Sequence, residues 1–163
     1  MSFKSIFTTA LAGTFLLAGS AFADGIMVQD PYARAASPMA KSGAAFMVIQ
    51  NHSANDDTLI GVRSDAAQRV ELHTHTDIGN GVMQMHEIEG GVALPAGGSH
   101  MMPRGGDHIM LMGLTGPLVQ GEMIEVTLVF EKAGDVVIEI PVDNERKGTH
   151  GAMKMDHSEM KSD

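Results

Sequence analysis

Short stretches of alternating apolar and polar residues follow one another along this chain, and no stretch keeps a helical period for long. Ile26–Tyr32 reads as a first strand, and the Pro38-containing stretch from Ala33 to Ser42 reads as a loop. Gly43–Gln50 is an apolar run that suits a buried strand, and Thr58–Arg63 is the next strand after a polar turn. Asp65–Arg69 has room for one helical turn. From Arg69 to Thr76 the alternation is clean: Val70 and Leu72 face one way, Glu71, His73 and His75 the other. Asn80-Gly81 is a hairpin signal that brings Val82–Ile88 back beside that strand. Val92–Pro95 and Ser99–Met102 are short segments between glycine turns, and Pro103–Asp107 is a loop. His108–Leu114, Glu122–Glu131 and Val136–Val142 complete the set, the last two joined through Ala133-Gly134-Asp135. Eight or nine short strands with a turn every 8–12 residues predict an all-β antiparallel sandwich or barrel.

Both ends depart from this pattern. Lys4, the apolar run Ile6–Leu17 and the A-x-A sequence Ala21-Phe22-Ala23 have the form of a cleavable secretory signal over residues 1–23, too short to span a bilayer as a stable helix. The expectation is an exported, periplasmic protein with its domain over residues 24–145 and no membrane span in the mature chain. From Asp143 onward apolar periodicity is lost, and residues 146–163 are expected to form a flexible, disordered tail.

Composition then removes several functions. The chain has no cysteine, so disulfides, blue-copper electron transfer and thiol-based redox chemistry are all excluded within it. Its formal net charge of −9 becomes −10 when Lys4 leaves with the signal, which disfavours nucleic acid and anionic membranes.

The candidate chemistry lies between His73 and Met112, where forty residues hold five histidines and six methionines. His73 and His75, Met83 and Met85, and His108, Met110 and Met112 recur at the strand period, so each set shares one face. Methionine alone is ordinary core filling. Imidazole at the same period on the same faces is not, and imidazole with thioether is a soft donor set suited to copper, Cu(I) above all.

These residues resemble the PCu(A)C family of periplasmic copper chaperones, whose signature runs His, an optional Met, about ten residues, Met, about twenty-one residues, then His-x-Met. Here His73 is followed by Thr74 in the optional position and by ten residues to Met85, then by twenty-two to His108, with Met110 completing His-x-Met. The extra residue is assigned to the Gly90-Gly91 turn, where an insertion costs little. The flanking text matches too: VELH at 70–73, GVMQM at 81–85, LPAGGS at 94–99 and HIMLMGL at 108–114. The resemblance spans roughly Ile26 to Val142. It implies a cupredoxin-like β-barrel, one Cu(I) held near the surface by His73, Met85, His108 and Met110, and delivery of that copper to the copper subunit of cytochrome c oxidase, alongside a thiol-bearing copper chaperone.

A neutral shell of two imidazoles and two thioethers suits a carrier: with no thiolate to retain the ion, passage to a cysteine-bearing acceptor is downhill. A buffer or resistance protein that sequesters copper is the alternative reading. An enzyme is not expected, because no nucleophile–base pair is evident and the shell leaves no open position. The expected state is a monomer.

The neighbouring donors read differently. His75 is at most a substitute ligand, otherwise placed beside the shell or in solvent. Met83 is expected in packing or at the rim, Met112 in the core, and His52 and His86 on the surface. His100, Met101 and Met102 are candidates for the rim. The tail adds His150, Met153, Met155, His157 and Met160 as a possible second site, its imidazoles suited to Cu(II).

Overall fold

The protein is described by a computed structural model covering residues 22–23, 25–79 and 82–147. Every element among these residues is a strand. In chain order they are β1 (Phe22–Ala23), β2 (Ile26–Ala35), β3 (Ser42–Asn51), β4 (Asp57–Arg63), β5 (Ala67–Asp77), β6 (Met83–Glu87), β7 (Val92–Leu94), β8 (Ser99–Met102), β9 (His108–Leu114), β10 (Met123–Phe130) and β11 (Gly134–Pro141). One sheet has the order β1-β2-β3-β9-β5-β6, with β8 also paired to β3, and the other the order β11-β10-β4-β7. All of these named strand pairs are antiparallel.

Alternation explains how the sheets meet. Ala45, Met47 and Ile49 of β3, Leu72 of β5, and Ile109 and Leu111 of β9 bury the inner face of the first sheet. Leu59, Val126, Leu128, Phe130, Val136, Ile138 and Ile140 do so for the second, and all join one cluster. Apart from Ala45, each of these side chains contributes about 1.5–3 kcal/mol by leaving water.

His73, His108 and Met110 therefore lie on the outer face of the first sheet, away from the second. Met112 shares that face, half-buried, with the Arg69 guanidinium 3.3 Å from its sulfur. The core expected for it belongs to its neighbours Ile109 and Leu111 instead. His52 and His86 are exposed, as expected.

Three further expectations are corrected. The first strand does not end at Tyr32 but runs to Ala35, because a bulge between Gln29 and Tyr32, with Asp30 at φ 48°, slips the alternation by one residue. Ile26 and Val28 face inward before it and Ala33 and Ala35 after it, which turns Tyr32 outward beside Phe46. Asp65–Arg69 is not a helical turn, since β5 starts at Ala67.

Nor does the ordered chain stop at Asp143. The Asp143 N–H donates to the Ala33 carbonyl at 2.8 Å, and the Asn144 amide group bonds Leu118 and Ala35. Arg146 pairs with Asp30 and lies over the Tyr32 ring, 4.2 Å from its centroid. Without apolar periodicity, this strap is held by polar bonds that hydropathy does not reveal. Residues 148–163, with the five tail donors, lie outside the described residues, as does nearly all of the segment read as a signal.

Candidate metal centre

Strand register assembles the donors. In the β5–β9 ladder His73 stands opposite His108, and Glu71 opposite Met110. In the β5–β6 hairpin His75 stands opposite Met85. Opposed residues in a ladder project to the same face, so His73, His75, Met85, His108 and Met110 share one side of the sheet.

The loop between β8 and β9 covers part of that side. One edge of β3 is used twice: Ser42–Ala45 pair with β9, and Met47–Gln50 with β8. Phe46 stands between the two pairings, and the Pro103–Asp107 loop emerges there. A hydrogen bond between His100 Nε2 and Asp107 Oδ2, 2.9 Å, ties the loop to β8. The loop carries the Gly106 carbonyl to 2.9 Å from His108 Nδ1 and 3.2 Å from His75 Nδ1. Beside it opens a cavity of about 310 Å³ whose lining includes Phe46, His75, Met85, Arg104, His108 and Met110.

The hydrogen bonds determine which ring nitrogens are open. A carbonyl only accepts, so His75 and His108 each carry a proton on Nδ1 and leave Nε2 free as a lone pair when neutral. His73 has the opposite arrangement. Its Nε2 donates to Glu71 Oε2 at 2.9 Å, and its Nδ1 is buried with no hydrogen-bond partner among the described residues. Glu71 is itself held by Arg69, 3.0 Å away. A buried, unpartnered imidazole nitrogen costs free energy unless something binds it. A carboxylate behind the other nitrogen is the usual support of a metal-bound histidine.

His108 is 2% exposed, and burial is the main reason its pKa lies below the ordinary histidine value. The Gly106 bond opposes that shift, and His75 and His73 reinforce it. The ring is therefore neutral at pH 7 and its Nε2 is available to a metal. The rings of His73 and His75 lie 6.0 and 5.0 Å from that of His108, centroid to centroid. With metal–nitrogen bonds of about 2 Å, two rings on one ion have centroids about 4.5–6.5 Å apart, so either neighbour can share an ion with His108.

Among the described residues, no three histidine, cysteine, aspartate or glutamate side chains are grouped to hold a metal. The further donors beside this cavity are thioethers. Met110 is half-buried beside the cavity, and Met85, 43% exposed on the edge strand β6, presents its thioether at the mouth.

The structure separates the remaining candidates. Met83 is exposed on β6. Met102 is core, Met101 is exposed, and His100 is engaged with Asp107, so none of the three lines this cavity. Sequence reasoning missed Glu71 and the Gly106 carbonyl. Glu71 had a signal, since it shares the His73 face two residues away. The carbonyl had none beyond the glycine-rich loop.

Comparisons with known proteins bear on the family and the fold. The family model described as "Putative lipoprotein LpqE-like" matches residues 26–142. The chain is 37% identical over 122 residues to "Putative lipoprotein Lxx21020" of Leifsonia xyli subsp. xyli (strain CTCB07), covering 74% of this chain and 70% of that protein. Among solved structures, the copper-bound PCuAC domain from PmoF2 is similar with a TM-score of 0.63 at 27% identity, covering 77% of this chain and 98% of that one. The solution structure of CuI-DR1885 from Deinococcus radiodurans is similar with a TM-score of 0.56 at 30% identity, covering 74% and 80%. The all-β architecture is that of the cupredoxin-like PCuAC domains.

Proposed function

The chain belongs to the LpqE-like family, and from that membership and the donor geometry we propose that it is an exported copper carrier that binds Cu(I) in the core through His73, Met85, His108 and Met110. The observation that carries this reading is the buried Nδ1 of His73, without a partner among the described residues, in a ring held from its other nitrogen by Glu71. The neighbouring His108 ring, 6.0 Å away centroid to centroid, also has an open nitrogen, its Nε2. The copper-bound PCuAC domain and CuI-DR1885 are similar in fold, which supports copper as the cargo.

The residues divide the work. Glu71 fixes the His73 ring and keeps its proton on Nε2. Gly106 does the same for His108 from the other nitrogen. The thioethers hold a soft ion without charge, so the site binds Cu(I) while leaving it transferable to thiolates. The acceptor proposed is the copper centre of cytochrome c oxidase, during assembly in the periplasm. Export through the segment 1–23 is proposed, and cleavage after Ala23 would remove, among the described residues, the two-residue edge pairing of β1.

Transfer is the test. Cu(I)-loaded protein mixed with an apo copper-subunit domain of the oxidase is expected to pass its copper across at one ion per chain, read by the visible spectrum of the binuclear centre after oxidation. Retention of the copper at equimolar acceptor would favour a sequestering buffer.

A second metal-binding segment is proposed in the tail, on His150, Met153, Met155, His157 and Met160. Because Arg146 is part of the folded strap, the informative truncation ends at Lys147. Titration with Cu(II) is expected to give one more bound ion, or at least tenfold tighter binding, for the longer chain. Identical isotherms would remove the tail from the metal chemistry.

A further inference from the structure

We propose that His75 is the handover ligand of the core site: copper held between His73 and His108 shifts to the pair His75 and His108 before it leaves. This rests on the carrier reading above and adds a second position to it.

Three observations carry the proposal. First, His75 and His108 are tethered through the same nitrogen to the same carbonyl, that of Gly106, so both leave Nε2 open. Their rings are stacked at 30° with centroids 5.0 Å apart, closer than the 6.0 Å between His73 and His108. Second, the two neighbours of His108 differ in access. His73 is nearly enclosed, with 13% of its side chain exposed, and is not among the cavity-lining residues. His75 lines the open cavity together with Met85 and Met110, and stands directly opposite Met85 in the hairpin. Third, among the described residues no three imidazole or carboxylate groups are set round one point. In this proposal His108 accordingly has one imidazole partner at a time, in an inner position with His73 or an outer one with His75.

The chemistry follows from ligand exchange. Cu(I) accepts three or four soft donors and changes them without any change of oxidation state. Moving the ion from His73 Nδ1 to His75 Nε2 breaks one copper–nitrogen bond and forms another, with no proton or electron released. The ion stays on His108 throughout and arrives at the mouth, where the exposed Met85 and an incoming donor can reach it.

Two substitutions separate a ligand from a merely structural histidine. His75→Gln keeps an N–H for the Gly106 carbonyl but has no soft donor. His75→Met loses that hydrogen bond but keeps one. Loaded proteins are mixed with excess bathocuproine disulfonate in a stopped-flow instrument, and equilibrium affinity is measured by competition with the same chelator. His75→Gln is expected to release Cu(I) at least tenfold more slowly with equilibrium affinity within threefold of the parent. His75→Met is expected to release it within threefold of the parent rate. His73→Gln is expected to lose at least tenfold in affinity, and His52→Gln, on a distant surface turn, to change neither quantity. Fast release from His75→Gln combined with slow release from His75→Met would overturn the proposal, as would an affinity loss in His75→Gln equal to that in His73→Gln. A parent protein that takes up no Cu(I) would overturn the carrier reading itself. A tight-binding parent whose His75→Gln variant releases copper at the parent rate overturns this proposal alone.

Discussion

Replacing His108 by Gln is expected to lower Cu(I) affinity by at least about 100-fold while the protein stays folded. His108 is central to the proposed arrangement: its ring lies beside both His73 and His75, and in the proposal its open nitrogen serves either pair. Removing a group behind a ligand typically costs about 10–100-fold in affinity, and removing the shared ligand itself exceeds that. The fold tolerates the change because β9 is anchored by Ile109 and Leu111 on the opposite face, both fully buried. Glutamine retains an N–H for the Gly106 carbonyl. Competition titration with a Cu(I) chelator measures the affinity, and circular dichroism of the metal-free protein monitors the fold. Parent-like affinity would remove His108 from the shell.

The largest loss of stability unrelated to copper is expected at Asp57, where β4 begins in the other sheet. Its carboxylate is buried and accepts hydrogen bonds from the backbone N–H groups of Thr58, Lys132 and Ala133 at 2.7, 2.9 and 2.9 Å. It thereby fastens the β10–β11 turn to the start of β4. Burial alone would raise its pKa, but the three N–H bonds and the nearby Lys132 charge outweigh burial and hold it below the ordinary carboxylate value. A depressed folded-state pKa contributes stability that is present in full above the unfolded value, 3.8, and is lost as pH falls through the lower folded value. Asp57→Ala leaves three N–H groups short of acceptors, at a cost of about 3 kcal/mol. Thermal unfolding at pH 7 should show the variant melting about 10 °C lower, with the gap narrowing below pH 3.8. Cu(I) affinity should not change, since Asp57 lies outside the sheet that carries the donors. A melting point within 2–3 °C of the parent would mean that water replaces those bonds freely.

Much of this molecule is legible in its residues, for a physical reason. Strand alternation is strict, so Val70, Leu72, Ile109 and Leu111 on one side place His73, His75, His108 and Met110 on the other without any coordinates. Asn80-Gly81 marks the hairpin that carries Met85 to His75. Less legible are features that depend on contacts distant in sequence. The bulge at Asp30 reverses the inward face of β2, and no hydropathy pattern marks it. The Asp143–Arg146 strap contains no apolar residue, and it is held instead by Ala33, Leu118, Asp30 and Tyr32. Met112 illustrates the reverse error: an apolar side chain on a strand invites placement in the core, but its parity with His108 puts it on the outer face. The signature spacing selects His73 over His75, but the second role proposed for His75 emerges only from the Gly106 carbonyl and the cavity, because strand alternation alone treats the two histidines alike.

The central claim is that copper in this protein is held by imidazole nitrogen and thioether sulfur together. X-ray absorption at the copper K-edge, on the protein loaded with one Cu(I) per chain, measures that directly. A reduced edge and a first shell that requires both nitrogen and sulfur scatterers are expected, with the sulfur contribution falling when Met110 is replaced by Ala. A first shell fitted by nitrogen and oxygen alone would contradict that claim.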